Sequence, residues 1–291
     1  MDLAISVIVS GIAIGLLIGL LSFVLVFLNK TTGIANFAIG NIGMFEAFIV
    51  YELFLSGLNV WVAVVIGLVV SMALGALIYQ VVMRPFSKGQ AANLLVRTVG
   101  LYLLLAAMAD EFFGQNQPYT FPNLLPQGGI SLGSAVVSWS DLITVAIVLV
   151  VVALFAAMFR FTELGVQFQA VAQRASIAQL LGLRVRRLSM IAYIIAAPLA
   201  LIVALLIAPS QLLSSSMMDS MLLYAFAAAV VGGFSSLSGT FVGGIIIGVV
   251  TDVVATYVGG DLSLAAALAI MLLTLAARPN GLFGVPQVER L

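Results

Sequence analysis

Two carboxylates, Glu46 and Asp252, fall well inside long apolar segments of this chain. An ionisable residue at membrane depth is costly, so each is a candidate for an ion, proton or solute pathway. A structural hydrogen-bonding role is the equal alternative, and no basic residue lies at similar depth to pair with either. Glu52, Asp110, Glu111, Asp219 and Asp261 lie near segment ends, where solvation explains them. The run Gly233-Phe-Ser235-Ser236 could suggest a serine nucleophile, but such a serine needs an activating base. The chain has no histidine. The only lysines, Lys30 and Lys88, lie in or beside the basic loops, so a Ser–Lys dyad fails too. Cysteine is also absent, which excludes disulfides, thiolate metal sites and Cys nucleophiles. No metal-ligand cluster and no GxxxxGK[ST] phosphate loop occur. The residues point away from an enzyme.

The elements that must position Glu46 and Asp252 are membrane helices. The 291 residues are 63% hydrophobic and 8% charged, against about 25% charged in soluble domains. The zero net charge gives no reason to expect nucleic acid. At roughly 20 apolar residues per crossing, the segments are Leu3–Leu28, Ile34–Leu55, Val60–Met83, Ala91–Phe113, Leu142–Phe159, Leu188–Ala208, Phe241–Val258 and Leu262–Ala277. Met218–Val231 is a shorter ninth. Residues 1–28 read as a first span rather than a removable leader. The expected fold is an all-α polytopic membrane protein of about 8–9 spans, forming a single domain over 1–291.

Charge placement gives a direction. Arg84, Lys88 and Arg97 cluster together, Arg160, Arg174, Arg184, Arg186 and Arg187 surround a polar stretch, and Arg278 and Arg290 follow the last span. The opposite loops, Gly114–Asp141, Pro209–Asp219 and Gly259–Asp261, carry no Lys or Arg. Basic loops face the cytoplasm, which puts the N-terminus outside and the C-terminus inside. The Pro- and Gly-rich loop 114–141 predicts turns with a short surface helix, acting as a connector or an external docking surface.

Two stretches are rich in glycine at membrane depth: Thr31–Gly43, containing Asn36, Gly40 and Asn41, and Val231–Gly244, containing Gly233, Ser235 and Ser238. Glycine allows helix breaks and close helix approach. Broken backbone at this depth survives only when buried in protein or lining a polar cavity. One stretch in each half of the chain suits a transporter built from repeats. Tight packing through small residues explains them as well.

The polar stretch Phe159–Leu188 cannot lie in hydrocarbon. Its spacing predicts one amphipathic helix over 163–181. Glu163 sits at the favourable dipole end and Gly182 acts as the stop. Leu164, Phe168, Val171, Ala175, Ala178 and Leu181–Leu183 recur at intervals of three and four. Such a helix could lie on lipid headgroups or dock into a groove of a soluble partner. Its small residues, Ala170, Ala172, Ala175 and Ala178, and its low basic content favour the groove.

Several motifs now fall in order. The run Glu163-Leu-Gly165 through Ala170-Val-Ala172-Gln173, with Ala178 and Leu181-Gly182-Leu183, resembles the coupling segment of branched-chain amino acid ABC transporter permeases. Tyr79 through Arg84-Pro85-Phe86 is similar to that family's basic loop. Val231-Gly232-Gly233 through Ser238-Gly239, then Gly243-Gly244 and Gly248, is similar to its glycine motif. Ala277-Arg278-Pro279-Asn280-Gly281-Leu282-Phe283-Gly284, with Val288-Glu289 beyond, matches its ending, and Gly33 through Asn36-Phe37-Ala38 its second span. The short ending resembles the shorter of the two permease types. Where the family usually has His-Gly-Glu after Asn-Phe-Ala, this chain has Ile39-Gly40-Asn41; if that His and Glu take part in substrate passage, the departure implies a different or more apolar substrate.

The resemblance implies a bacterial inner-membrane permease that binds no cofactor. It would pair with a second, identical or homologous permease, two ATP-binding subunits that carry the ATP, and an external substrate-binding protein, all amid membrane lipid. The coupling contacts implied are Glu163, Gly165, Ala170, Arg174, Ala175, Ala178 and Gly182, within about 163–182. A path lined by Asn36, Gly40, Asn41, Glu46, Gly233, Ser235, Ser238 and Asp252 would carry branched-chain or other hydrophobic amino acids, or a related small solute. The competing reading is a stand-alone carrier or channel using Glu46 or Asp252 as an ion or proton site.

Overall fold

The computed structural model describes residues 2–84, 91–114, 118–126, 128–132 and 135–284. Eleven helices and one hairpin follow in order: α1 (Asp2–Thr32), α2 (Ile39–Leu55), α3 (Val60–Ile78), α4 (Ala91–Phe112), β1 (Gly129–Leu132), β2 (Ala135–Ser138), α5 (Trp139–Phe161), α6 (Glu163–Gln173), α7 (Ala175–Leu180), α8 (Val185–Gln211), α9 (Asp219–Gly232), α10 (Gly239–Tyr257) and α11 (Ser263–Ala277). A π-type turn, Tyr79–Met83, prolongs α3. The protein is an all-α polytopic membrane protein. All nine apolar segments expected from the sequence are helical among the described residues. Among the described residues, six helical stretches are long and apolar enough to cross a membrane: those beginning at Ser6, Val60, Trp139, Val185, Gly239 and Gly260. The others are α4, which carries Arg97, Asp110 and Glu111, and the shorter α2 and α9, with 17 and 14 residues.

Two expectations need correction. The second segment begins as a helix only at Ile39, because residues 33–38 stay irregular. In the loop 114–141, β1 and β2 form an antiparallel hairpin pairing Gly129 with Ser138 and Ile130 with Val137, where a short surface helix was expected. Ile130, Val136 and Val137 are β-branched and favour extended backbone. The basic loop's Pro85, Phe86 and Lys88 and the terminal Val288, Glu289 and Arg290 lie outside the described residues.

The chain divides into two compact units. One contains Met1–Val26, Leu125–Val150 and Ser220–Leu291. Here Gly11, Gly15 and Gly19, each one turn apart, line α1 against α10. A Cβ on Gly11 would come 2.8 Å from Val249 Cα, one on Gly15 2.7 Å from Ile245 Cα, and one on Gly19 3.0 Å from Phe241 Cα. Gly244 and Gly248 answer from α10 by meeting the α1 backbone around Gly15 and Gly19. Lipid tails are as apolar as the helices, so association rests on such close backbone packing.

The other unit contains Phe27–Leu124 and Val151–Asp219. Its centre is α2, α3 and α8. Gly43 lies against Ala200, Gly67 against Val50, and Gly75 against Tyr193. α8 supplies buried Ala192, Ala196, Ala197, Ala200, Ala204 and Ala208, small side chains that let two neighbours approach at once. Near the end of α2, Phe48 stacks on Phe113 with ring centroids 4.9 Å apart and Tyr51 stacks on Tyr119 at 5.5 Å. Tyr119 and Leu213 exchange backbone hydrogen bonds of 2.9 and 2.8 Å. This pins the loop after α4 to the segment after α8.

Candidate functional site

The break between α1 and α2 is built by side chains. α1 ends at Thr32, and Gly33 follows at φ +82°. Asn36 is buried, and its Oδ1 accepts the Ala38 N–H at 2.9 Å. Its Nδ2 donates to Tyr193 Oη on α8 at 3.2 Å. Ser189 Oγ, one turn earlier on α8, donates to Thr31 O at 3.2 Å. A single amide thus satisfies an otherwise orphaned N–H before α2 and ties the break to its neighbour. Gly40 and Asn41 open α2 and are buried. Asn41 Nδ2 donates to Tyr102 O at 3.2 Å, while the Tyr102 phenol donates to Asp219 Oδ1 at 3.0 Å. Glu46 is 2% exposed, and neither carboxyl oxygen has a hydrogen-bond partner among the described residues. It lies one turn before Val50, the residue that fills the notch at Gly67. Ser71, one turn beyond Gly67, is also buried and unpartnered.

The break between α9 and α10 is built from backbone. Leu282 N–H donates to Val231 O at 2.9 Å, and Phe283 N–H donates to Gly232 O at 3.1 Å. These bonds satisfy carbonyls that α9 leaves free at its end. The glycines make that pairing possible. Gly232 meets Gly239 backbone to backbone, Gly243 meets Ala228 O, and Gly233, at φ +100°, sits against Asn280 and Gly284. Ser236 Oγ accepts the Gly239 N–H at 3.0 Å to open α10. The glycine motif and the ending Arg278–Gly284 are therefore one structural object. Ser238 precedes α10, and Asp252 lies roughly 20 Å further along the same helix. The two residues do not share a site. Asp252 instead faces α1, where a Cβ on Gly11 would lie 3.4 Å from its Cβ.

The polar stretch is two helices, where one was expected over 163–181. Arg174 is extended (φ −155°, ψ 101°), ending α6 and starting α7. A straight helix over these residues would run about 27 Å. The bend lets both parts press on the same unit. Thr162 Oγ1 caps α6 by accepting the Gly165 N–H at 3.2 Å. Gly165 has no room for a side chain, since a Cβ would come 2.5 Å from Met158 O. Phe168 packs edge-on to Phe27 at 5.1 Å. Leu183 N–H to Ala178 O and Gly182 N–H to Gln179 O, with Gly182 at φ +87°, form a Schellman stop for α7.

The apolar pattern of this stretch therefore splits. Phe168, Val171 and Ala178 are buried, whereas Val166, Ile177, Leu180 and Leu181 are 62%, 45%, 87% and 76% exposed. Glu163, Arg174, Ala175 and Gly182 are exposed, and Ala170 is half-buried. With Leu164, 38% exposed, the chain turns five large apolar residues outward on one short connection.

A family model described as "Branched-chain amino acid transport system / permease component" matches residues 7–276. The chain belongs to this family. The permease is 28% identical over 280 residues to the "High-affinity branched-chain amino acid transport system permease protein BraD" of Pseudomonas aeruginosa, covering 89% of this chain and 88% of that one. It is 25% identical over 273 residues to the LivH protein of the same description from Salmonella typhimurium, again 89% and 88%. The "Probable branched-chain amino acid transport permease protein LivH" of Methanocaldococcus jannaschii is 26% identical over 279 residues, covering 88% and 84%. In fold, the permease is similar to the solved structure "PsaBC from Streptococcus pneumoniae in complex with Fab" (TM-score 0.51, 14% identity, 96% of this chain and 92% of that chain). It is a multi-pass membrane protein of the transport class.

Of the expected path residues, the permease gathers Asn36, Gly40, Asn41 and Glu46 at the start of α2 in one unit. Gly233, Ser235 and Ser238 lie at the second break in the other. Sequence reasoning did not find Tyr193, Ser189, Leu282 or Phe283 as the groups holding these breaks. It also passed over the row Gly11, Gly15 and Gly19, although spacing by four was a readable signal of helix contact.

Proposed function

We propose that the chain is the transmembrane subunit of an ABC importer for branched-chain or other hydrophobic amino acids, or a closely related small solute. Separate ATPase subunits would supply the energy, and a second permease and an external binding protein would complete the importer. The supporting observation is the connection between α5 and α8 in a chain of this family. It is anchored inward by Gly165, Phe168 and Ala178 and turns Val166, Ile177, Leu180 and Leu181 outward. Exposed apolar residues beside a polar rim fit a groove on a partner. A rigid anchor lets force applied there reach α5 and α8. Glu163, Ala170, Arg174, Ala175 and Gly182 would frame this contact. With the basic loops inside, the contact faces the cytoplasm, the N-terminus lies outside and the C-terminus inside. The buried polar groups at the start of α2 would line one part of the route, and half-buried Ser235 and exposed Ser238 another.

The test is reconstitution with the ATPase subunits. Replacing Leu180 and Leu181 by Asp should weaken ATPase association at least tenfold, equivalent to about 1.4 kcal/mol, and abolish ATP-driven leucine uptake. Bulky residues at Ala175 or Gly182 should act in the same direction. Unchanged association and uptake would remove the docking role. Uptake by the single chain along an ion gradient, without ATPases, would overturn the importer reading.

A further inference from the structure

Between α6 and the start of α8 lies a cavity of about 470 Å³, lined by Leu164, Gln167, Gly182, Leu183, Arg184, Arg187, Leu188 and Ile191. Its size is within the roughly 300–1,000 Å³ of small-molecule sites. The chemistry of its wall is divided. Arg184 and Arg187 are exposed, and neither forms an ion pair among the described residues. Gln167 adds an amide beside them. Leu183, Leu188, Ile191 and Leu164 supply an apolar side, and Leu188 and Ile191 belong to the first two turns of a 27-residue membrane helix. The polar-to-apolar gradient thus runs along α8 into the span. Val166, Ile177, Leu180 and Leu181 do not line this cavity, and of the residues assigned to the ATPase contact only Gly182 borders it, so the arginine wall lies beside that contact rather than within it.

We propose that this cavity binds the headgroup of an anionic phospholipid, with the phosphate between Arg184 and Arg187 and an acyl chain along Leu188 and Ile191. Charge complementarity selects the occupant. Arg174, Arg184, Arg186 and Arg187 face a single acidic residue, Glu163, on the whole connection. A guanidinium fork fits phosphate oxygens in a bidentate geometry. Basic pockets at the ends of membrane helices are suited to lipid headgroups. An acidic protein segment would satisfy the arginines but not the apolar side continuous with the span. A bound lipid would brace α6 against α8, so the connection that meets the motor would respond to membrane composition. The assignment does not depend on which solute is carried.

The experiment uses the full chain purified in detergent and relipidated with phosphatidylglycerol or phosphatidylcholine. Readouts are the thermal midpoint and the lipid retained in native mass spectrometry. Phosphatidylglycerol should raise the midpoint by a few degrees, as a ligand specific to the folded state does, and be retained at one copy per chain. Phosphatidylcholine and inorganic phosphate should do neither. The R184Q/R187Q variant should lose the shift and the retained lipid, while R278Q keeps both. Leu183→Trp fills the cavity without touching either arginine and should lose the lipid as well. Equal shifts in wild type and R184Q/R187Q, or equal shifts from phosphatidylcholine or free phosphate, would overturn the site. So would an R184Q/R187Q protein that keeps its lipid but no longer binds the ATPase subunits, since the arginines would then serve a protein partner.

Discussion

The two helix breaks solve the same problem with different parts. Before α2, the freed backbone is held by side chains: Asn36 to Ala38 N–H, Asn36 to Tyr193, and Ser189 to Thr31 O. Between α9 and α10 it is held mainly by backbone, with Leu282 and Phe283 pairing to Val231 and Gly232 across a floor of glycines. Side-chain bonds reach from rotatable groups, so a break held by them can shift by a rotamer change while the backbone stays put. Backbone bonds over glycine leave no such slack, because nothing lies between the chains to yield. The first break is built to adjust and the second to hold.

The largest expected effect tests the rigid joint. Gly232→Val puts a branched side chain where Gly239 backbone already sits. Overpacking typically costs about 1–3 kcal/mol, and with backbone on the far side the upper end applies. We expect little folded protein after detergent extraction, measured by size-exclusion recovery. Next comes Leu282→Pro, which removes the N–H that pairs with Val231 O. It leaves the carbonyl of buried Val231 unpaired, at about 2 kcal/mol. Thermal unfolding should show the loss. An unchanged midpoint would mean that the C-terminal segment is not what holds this break.

The same contrast explains what could be read in advance. The apolar segments, the two breaks and the Gly182 stop follow from composition, glycine placement and local turn chemistry, all short-range signals. The bend at Arg174 has no glycine or proline to announce it. It arises because Phe168, Val171 and Ala178 must all reach the protein interior, a tertiary demand. The partners of the breaks were equally hidden. Asn36 and Tyr193 are 157 residues apart, and Leu282 meets Val231 only after α10 and α11 have turned the chain back. The hairpin at 129–138 was missed for a simpler reason: Pro and Gly counts concealed the β-branched residues between them.

For the adjustable joint, Asn36→Ala removes both bonds of the amide and leaves the buried Tyr193 hydroxyl without its donor. The cost should be about 1.5 kcal/mol, combining a lost cap with a lost buried hydrogen bond. Tyr193→Phe should cost less, about 1 kcal/mol, because Asn36 still caps Ala38. If the two substitutions are combined, the total should fall short of their sum, since both remove the same bond. Full additivity in thermal unfolding would show that Asn36 and Tyr193 act independently.

The smallest effect is the most discriminating. At the second break Ser236 adds a side-chain hydrogen bond, accepting the Gly239 N–H at 3.0 Å. It is the counterpart of Asn36, yet it is partly open to solvent where Asn36 is buried. Water can replace the lost hydroxyl, so Ser236→Ala should cost about 0.5 kcal/mol, the low end for a cap. A stability loss matching that of Asn36→Ala would mean that the second break also depends on side chains, and the distinction between the two joints would collapse. A small loss, with folding still dependent on Gly232 and Leu282, assigns the second break to its backbone.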